Sequence, residues 1–464
     1  MINRMNKLKL IKFFLLSFIV SLFLACDSRE HISIKDLNIT TVNAGEQSYS
    51  VPTLVVIMNW GDFSEDDPTI WSDKIFASSK NSVNGWLLDA TNEKVSLSPV
   101  DETDGIANDG VITVYMGTNR PERAIGSGYN YIGFVSEDIT AAIESRSVTN
   151  TINFAIFDKD LNGIIDYKEL QIIFIVSGGE MAYGDTADSI WAHSWNYEAA
   201  TVSAPEIDGV KLMYFTGDLK TSGSYGAFGA KHSLGNRNEH VATVGIIAHE
   251  VGHSLLNLID LYDTLYRSSG IGYFDIMSSG TWAQSDSDDY PGEAPTQYSA
   301  YSKIDAQPTL EESIVTDQSS ITLKCSETSL IKLPTTRSNE YFLIECRDTS
   351  RMISDAGFMS ADTTFTTDRL FSVLYHIDSV KVDNTESGEQ TYDNHYRVAV
   401  VQKSHKTTMA QVRGIKANFY DVFLVGDLMD SRHTTLYGGL VSNYTIEVVS
   451  EDTTNRTMTF QISK

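Results

Sequence analysis

Positive charge is scarce in this sequence: 35 Lys and Arg stand against 61 Asp and Glu over 464 residues, a formal net charge of −26. That balance excludes nucleic-acid binding through a general basic surface, which needs concentrated Lys and Arg. Long apolar runs are missing after Leu24, so no later segment reads as a membrane span, which takes about 20 apolar residues. There is no internal repeat and no low-complexity segment, and cysteine is limited to Cys26, Cys325 and Cys346. Hydrophobic residues make up 42% and charged residues 21%, the composition of a folded chain and not of a disordered one. The length suffices for two or three domains, each with its own core. The acid surplus suits hard cations, so metal binding stays open.

The first 25 residues carry Arg4, Lys7, Lys9 and Lys12 and no acid. Phe13 to Leu24 is apolar apart from Ser17 and Ser21, and Ala25–Cys26 follows. A basic region, an apolar core and a small residue at the cut form the layout of an export signal. Leu22-Phe23-Leu24-Ala25-Cys26 resembles the lipobox of bacterial lipoproteins. The resemblance implies that Cys26 is lipidated and becomes the mature N-terminus of a cell-envelope protein held at the outer membrane or cell surface. An ordinary signal peptide is the alternative, and both export the chain. Losing the four positive charges takes the net charge from −26 to −30. Cys325 and Cys346 then remain, as a disulfide or as two buried thiols.

Residues 26–50 are polar and read as a tether. From Val51 the pattern mixes strands and helices. Pro52–Met58, Val111–Met116, Ile152–Phe157 and Leu170–Val176 are buried-strand runs. Glu137–Glu144 is helical, with Ser136 placed as N-cap. The strongest helical pattern is Glu239–Leu256, with Val241, Val244, Ala248, Val251 and Leu255 at spacings of three and four. After about residue 310, short β runs alternate with turns: Ser320–Lys324, Glu340–Glu345, Leu370–Ile377, Tyr396–Gln402, Tyr420–Val425, Tyr444–Val449 and Thr457–Ile462. The expected fold class is therefore α+β, with a mixed domain over 51–310 and a C-terminal β-sandwich over 311–464.

Residues 249–253 read His-Glu-Val-Gly-His. On a helix, His249 and His253 lie on one face one turn apart, where two imidazoles can bind one zinc ion. Zinc lowers the pKa of a bound water to about 7, and Glu250 beside it is placed to take the water's proton and pass it to a leaving amine. Two histidines and a carboxylate leave one zinc position open, as catalysis requires. The carboxylate is Asp260, with Asp263 as the other candidate or as a partner that orients an imidazole.

The run from His249 to His253 with Asp260-Leu-Tyr-Asp-Thr264 resembles the zinc motif of the immune inhibitor A family of secreted bacterial metallopeptidases. Gly270-Ile-Gly-Tyr-Phe-Asp-Ile-Met-Ser-Ser-Gly-Thr-Trp282 resembles the family's methionine turn, with Met277 beneath the metal. Ser82–Leu97, Ser189-Ile-Trp-Ala-His193 and Tyr375-His-Ile-Asp378 resemble weaker segments, so the likeness runs from about residue 51 to 464. It implies a zincin-type catalytic domain, one catalytic zinc, and protein or peptide substrates. This chain departs from the family in one respect. The Gly expected three residues after the second His is Leu256, and Asp260 lies one residue late. Asn257 is placed to make the left-handed turn that Leu cannot. Tyr262, Tyr266, Tyr273 and His240 are the nearby groups considered for oxyanion stabilisation, with none assigned.

Asp158-Lys-Asp160-Leu-Asn162-Gly163-Ile164-Ile-Asp166-Tyr-Lys-Glu169 matches an EF-hand loop. Oxygen donors fall at positions 1, 3, 5, 9 and 12, Gly at 6, and the Ile164 carbonyl at 7. The expectation is one structural calcium ion; an acidic turn is the plain alternative. Asp104–Gly110 is a second acidic loop but lacks a closing Glu. Together these features predict an exported, membrane-anchored zinc endopeptidase, monomeric and without a nucleic-acid partner. The competing expectation is a catalytically decayed surface lipoprotein that acts as an adhesin or as a glycan- or protein-binding module. In a third, the C-terminal β domain is the functional part.

Overall fold

The computed structural model describes residues 37–61, 67–119, 129–184, 189–198, 203–233, 238–265, 267–285, 288–316, 320–350, 355–360, 369–384, 391, 393–406, 409 and 421–464. The export signal, Cys26 and the tether as far as residue 36 lie outside the described residues. Residues 38–464 form one compact unit.

The run around Pro52–Met58 becomes the long strand Tyr49–Trp60. It pairs in parallel with Gln171–Glu180 along one edge, and with Val95–Pro99 and Val111–Gly117 along the other. Gln171–Glu180 in turn pairs in parallel with Tyr225–His232, on which His193–Trp195 and His240–Val241 add antiparallel pairs. Alternate side chains serve two cores. Val55, Ile57, Ile173 and Ile175 meet Trp71, Trp86, Ile247 and Val251 from three helices on one face. Leu54, Val56, Met58, Ile172 and Phe174 meet Ile139 and Ile143 on the other. Burial on both faces is why these strands read as continuous apolar runs instead of alternating ones.

The C-terminal strands form two antiparallel sheets. The first runs in the order Leu310–Ile314, Thr40–Ala44, Ser329–Pro334, Glu340–Asp348, Leu370–Asp378, Val398–Val400, and the second in the order Ile321–Lys324, Thr457–Ser463, Thr445–Asp452, Leu428–Met429. Cys325, next to the second sheet, is disulfide-bonded to Cys346 in the first. Val42, Leu330, Leu343, Phe371 and Val373 belong to the same core cluster as the helix carrying His249. Lys303 and Glu345 (2.9 Å), Arg347 and Glu345 (3.0 Å), and Arg347 and Asp355 (2.6 Å) add a fully buried ionic network between residues on either side of position 310. The fold class is α+β, as expected, but the parts before and after residue 310 share one core.

Four readings are corrected. Part of the 26–50 tether is a strand: Thr40–Ala44 pairs with both Leu310–Ile314 and Ser329–Pro334, and long-range pairing overrides its polar composition. Ile152–Phe157 contains a 3-10 turn at Phe154–Ile156, where the Asn153 side chain accepts from Ala155 N–H (3.1 Å) and offers the backbone a local bond in place of a ladder. The helix with Ser136 runs Tyr129–Ile143, so Ser136 is an interior residue and not its cap. The strongest helix starts at Val244, because His240–Val241 pairs with Lys231–His232 instead.

Candidate metal centre

Val244–Leu256 is buried along nearly its whole length, which suits a helix running through a core. One close approach involves a residue inside the motif: a Cβ on Gly252 would lie 2.7 Å from Met277 Sδ, so Gly252 lets the Met277 side chain pack closely against the helix. The helix ends at Asn257, which is left-handed with φ 54° and ψ 30°. Asn reaches this region more easily than Leu because its short polar side chain bonds locally. The turn sends the chain back, and the Leu258 N–H bonds the Gly252 carbonyl at 3.1 Å.

Three candidate ligand atoms converge. His249 Nε2 and His253 Nε2 are 3.2 Å apart, and Asp260 Oδ1 lies 3.3 Å and 3.1 Å from them. Zinc-to-ligand distances of about 2.0–2.2 Å place tetrahedral ligands roughly 3.3 Å apart, so the set fits one ion. The outer nitrogens are tied down: His249 Nδ1 is 2.9 Å from the Ile276 carbonyl, and His253 Nδ1 is 2.6 Å from the Leu258 carbonyl. Each Nδ1–H donates outward, so that with an ion bound both Nε2 lone pairs would face the same point. The Leu261 N–H donates to the Met277 carbonyl (2.7 Å), which ties the ligand loop to the methionine turn. Asp275 holds that turn, accepting from Met277 N–H and from the hydroxyls of Ser299 and Ser302 at 2.6–2.8 Å.

Electrostatics follow from burial and proximity. Burial pushes the Glu250 carboxyl up, against the pull of the two imidazoles. Burial works against charge on His253 as well, but the Asp260 carboxylate outweighs it and holds the imidazole at about 9. The histidines in turn hold Asp260 well below the usual carboxylate range, against its own burial.

Asp263, the other candidate ligand, does not face the histidines. Its buried carboxylate accepts from the N–H groups of Leu265, Arg267 and Ser268 at 2.9–3.1 Å. Of the oxyanion candidates, Tyr262 lines the cleft, with its ring centroid 6.3 Å from that of His249. Tyr273 is buried, His240 stacks on Tyr290 at 3.5 Å, and Tyr266 lies outside the described residues. The cleft has a volume of about 1000 Å³ and also takes in Trp191, His193, Trp195 and Leu219. His193 carried no role in the sequence, although it closes a segment resembling the family. Its Nδ1 is 2.9 Å from the Trp191 carbonyl, and burial lowers its pKa against the pull of that bond.

In the EF-hand-like loop, carboxylate oxygens of Asp158, Asp160 and Glu169 lie within 4.8 Å of one another. Asp158 accepts from Asn162 and Gly163 N–H (3.0 and 2.9 Å), and Asn162 from Ile164 N–H (2.7 Å). Gly163 sits at φ 80°, the turn that position 6 demands. A 3-10 turn precedes the loop and the strand Gln171–Glu180 follows it, so it is a solitary clip and not half of a helix pair. Asp166 turns inward to cap the N–H groups of Lys168 and Glu169. The second acidic loop uses its carboxylates locally: Asp104 accepts from Thr113 N–H and Asp109 from Val111 N–H.

Two imidazoles and a carboxylate aimed at one point, with a buried glutamate on the same helix in a large cleft, define the class of metal-dependent hydrolases. The family described as immune inhibitor A peptidase M6, catalytic domain, matches residues 135–308, so that span is similar to a metallopeptidase catalytic domain. The chain is thus a peptide hydrolase acting on protein or peptide substrates. The matched span is narrower than the 51–464 likeness read from the sequence, but it includes the EF-hand-like loop, the histidine helix and Met277. No curated protein matches the chain. Among the described residues, no helix is long and apolar enough to cross a membrane.

Proposed function

We propose that this protein is an exported zinc endopeptidase, anchored to the cell envelope through Cys26. The observation that carries the reading is the convergence of His249 Nε2, His253 Nε2 and Asp260 Oδ1 within 3.3 Å of one another. Zinc held by these three residues would polarise the scissile carbonyl and lower the pKa of a water to about 7. Glu250 would take the proton from that water and hand it to the departing amine, and its burial supports the exchange by raising its proton affinity. The outward hydrogen bonds of the two imidazoles would keep the ligands in place through the cycle. Trp191, Trp195 and Leu219 are 42%, 38% and 50% exposed around the cleft, which supports a preference for large apolar side chains next to the cut bond.

Residues 158–169 fit a structural calcium ion that clips the chain before the central strand Gln171–Glu180. Extracellular calcium would keep even a weak site filled. The two antiparallel sheets, formed by strands after residue 309 together with Thr40–Ala44, support the reading of a C-terminal β-sandwich. The decayed-adhesin reading is not favoured, since the domain family is one of peptidases. Glu250→Gln tests the mechanism: the variant should keep one zinc per chain by metal analysis and cleave casein about 10²–10⁴-fold more slowly. Wild-type cleavage by that variant would sink the mechanism. Cys26→Ser should move the protein from the membrane fraction to the soluble one; unchanged fractionation would remove the lipid anchor.

A further inference from the structure

A second group of metal-ligating side chains lies far along the chain from the first. His405, Asp430 and His433 each present a ligand atom within 4.8 Å of the other two. His433 is the buried member, its side chain 3% exposed. Its Nε2 is 3.1 Å from the Lys403 carbonyl, which takes the Nε2–H and leaves the Nδ1 lone pair facing Asp430. Nδ1 then stands 3.0 Å from Asp430 Oδ1. Two electron-rich atoms at that spacing attract a cation between them, a proton or a metal ion. The Asp430 N–H also reaches Nδ1 at 3.0 Å, and a metal there would exchange that bond for coordination.

Two features argue for a metal over a proton. The Arg432 side chain takes Asp430 Oδ2 with both Nε and Nη2, at 2.9 and 2.6 Å. That grip orients the carboxylate and turns Oδ1, which also accepts from the Arg432 N–H at 2.9 Å, to the imidazole, as an outer partner does for a ligand carboxylate. The third donor is the other feature. The His405 ring lies against His433, tilted by 33° with ring centroids 3.8 Å apart, and its backbone is left-handed at φ 58°. A non-glycine residue in that region is uncommon and costs energy. Here the turn, closed by His405 N–H on the Gln402 carbonyl (2.9 Å), brings its imidazole to the pair.

We infer that His405, Asp430 and His433 form a second binding site for a divalent transition metal of the zinc class. The ion would pin the loop around 402–406 to the loop around 430–433. The site borders a cavity of about 350 Å³ that also involves Tyr396, Lys406 and Tyr437. Two nitrogens and one carboxylate oxygen suit zinc better than calcium, which prefers oxygen alone.

The test is zinc stoichiometry and affinity on the full chain, in excess calcium so that the 158–169 loop is filled. Wild type should hold two zinc ions per chain, and His405→Ala one. Because His405 is exposed, its truncation should leave the far-UV spectrum unchanged. In a His249→Ala/His253→Ala background one zinc should remain, and adding Asp430→Asn should weaken it at least about tenfold. A double variant that binds no zinc would overturn the site, and so would zinc affinity indifferent to both His405→Ala and Asp430→Asn. Failure at the first metal centre reads differently: wild type would then hold one zinc and lose it in His405→Ala.

Discussion

Asn257 decides whether Asp260 reaches the two imidazoles. It adopts the left-handed φ 54° and ψ 30° at the end of the histidine helix. Its N–H bonds the His253 carbonyl, and the Leu258 N–H bonds that of Gly252, both at 3.1 Å. The Leu258 carbonyl then orients His253 (2.6 Å), and two residues later Asp260 meets both imidazoles. A side chain that cannot bond locally pays about 1–2 kcal/mol in this region, and a β-branched one more. Asn257→Val therefore has two outcomes. If the turn holds, stability falls by at least that amount. If it yields, the Leu258 carbonyl and Asp260 shift, and zinc affinity drops about 10–100-fold. The second outcome removes about 1.4–2.8 kcal/mol of metal-linked stabilisation. Asn257→Gly should keep zinc affinity and match or exceed wild-type stability. The assay is a chelator-competition zinc titration beside thermal melts with and without zinc. A Val variant equal to wild type in both, or a Gly variant with tenfold weaker zinc, would refute the role given to this turn.

Three further outcomes can be checked. Glu180 is buried, accepting from Gly229, Ala182 and Ala192 N–H, and burial pushes its carboxyl up to about 8. The folded state then holds a proton that the unfolded carboxyl releases, so this group's contribution to stability falls as pH rises from about 4.5 to about 8. Glu180→Gln should flatten that slope in urea melts, and an unchanged slope would remove Glu180 as its source. Lys303→Met leaves buried Glu345 short of one cation and should cost about 3–5 kcal/mol by denaturant titration; a loss under about 1 kcal/mol would contradict the network's importance. Adding calcium to metal-free protein should raise stability by about 2.7 kcal/mol at 100 times its Kd. Asp158→Ala should abolish that gain, and a gain that survives would move the calcium elsewhere.

Much of the first site was legible because its geometry is local. Two histidines four apart share a helix face wherever that helix sits, and twelve residues with oxygens at alternate positions curl around a point through their own turns. The left-handed turn at Asn257 was readable for the same reason, since it follows from one residue's steric freedom. The apolar runs Pro52–Met58 and Leu170–Val176 announced strands buried on both faces. What failed was local preference set against distant partners: Ser136 looked like a cap, His240–Val241 like helix, and Thr40–Ala44 like tether.

The sequence by itself thus determined the histidine pair, its glutamate, the loop at 158–169 and an α+β chain, all set by spacing within a few residues. Only the tertiary structure decided that Asp260 faces the histidines while Asp263 is consumed by three backbone N–H groups. It also joined Cys325 to Cys346, merged the parts on either side of residue 310 into one core, and brought His405 to Asp430 and His433. Those choices depend on which segments pack together, because packing and hydrogen-bond satisfaction between distant segments leave no fixed spacing in a sequence.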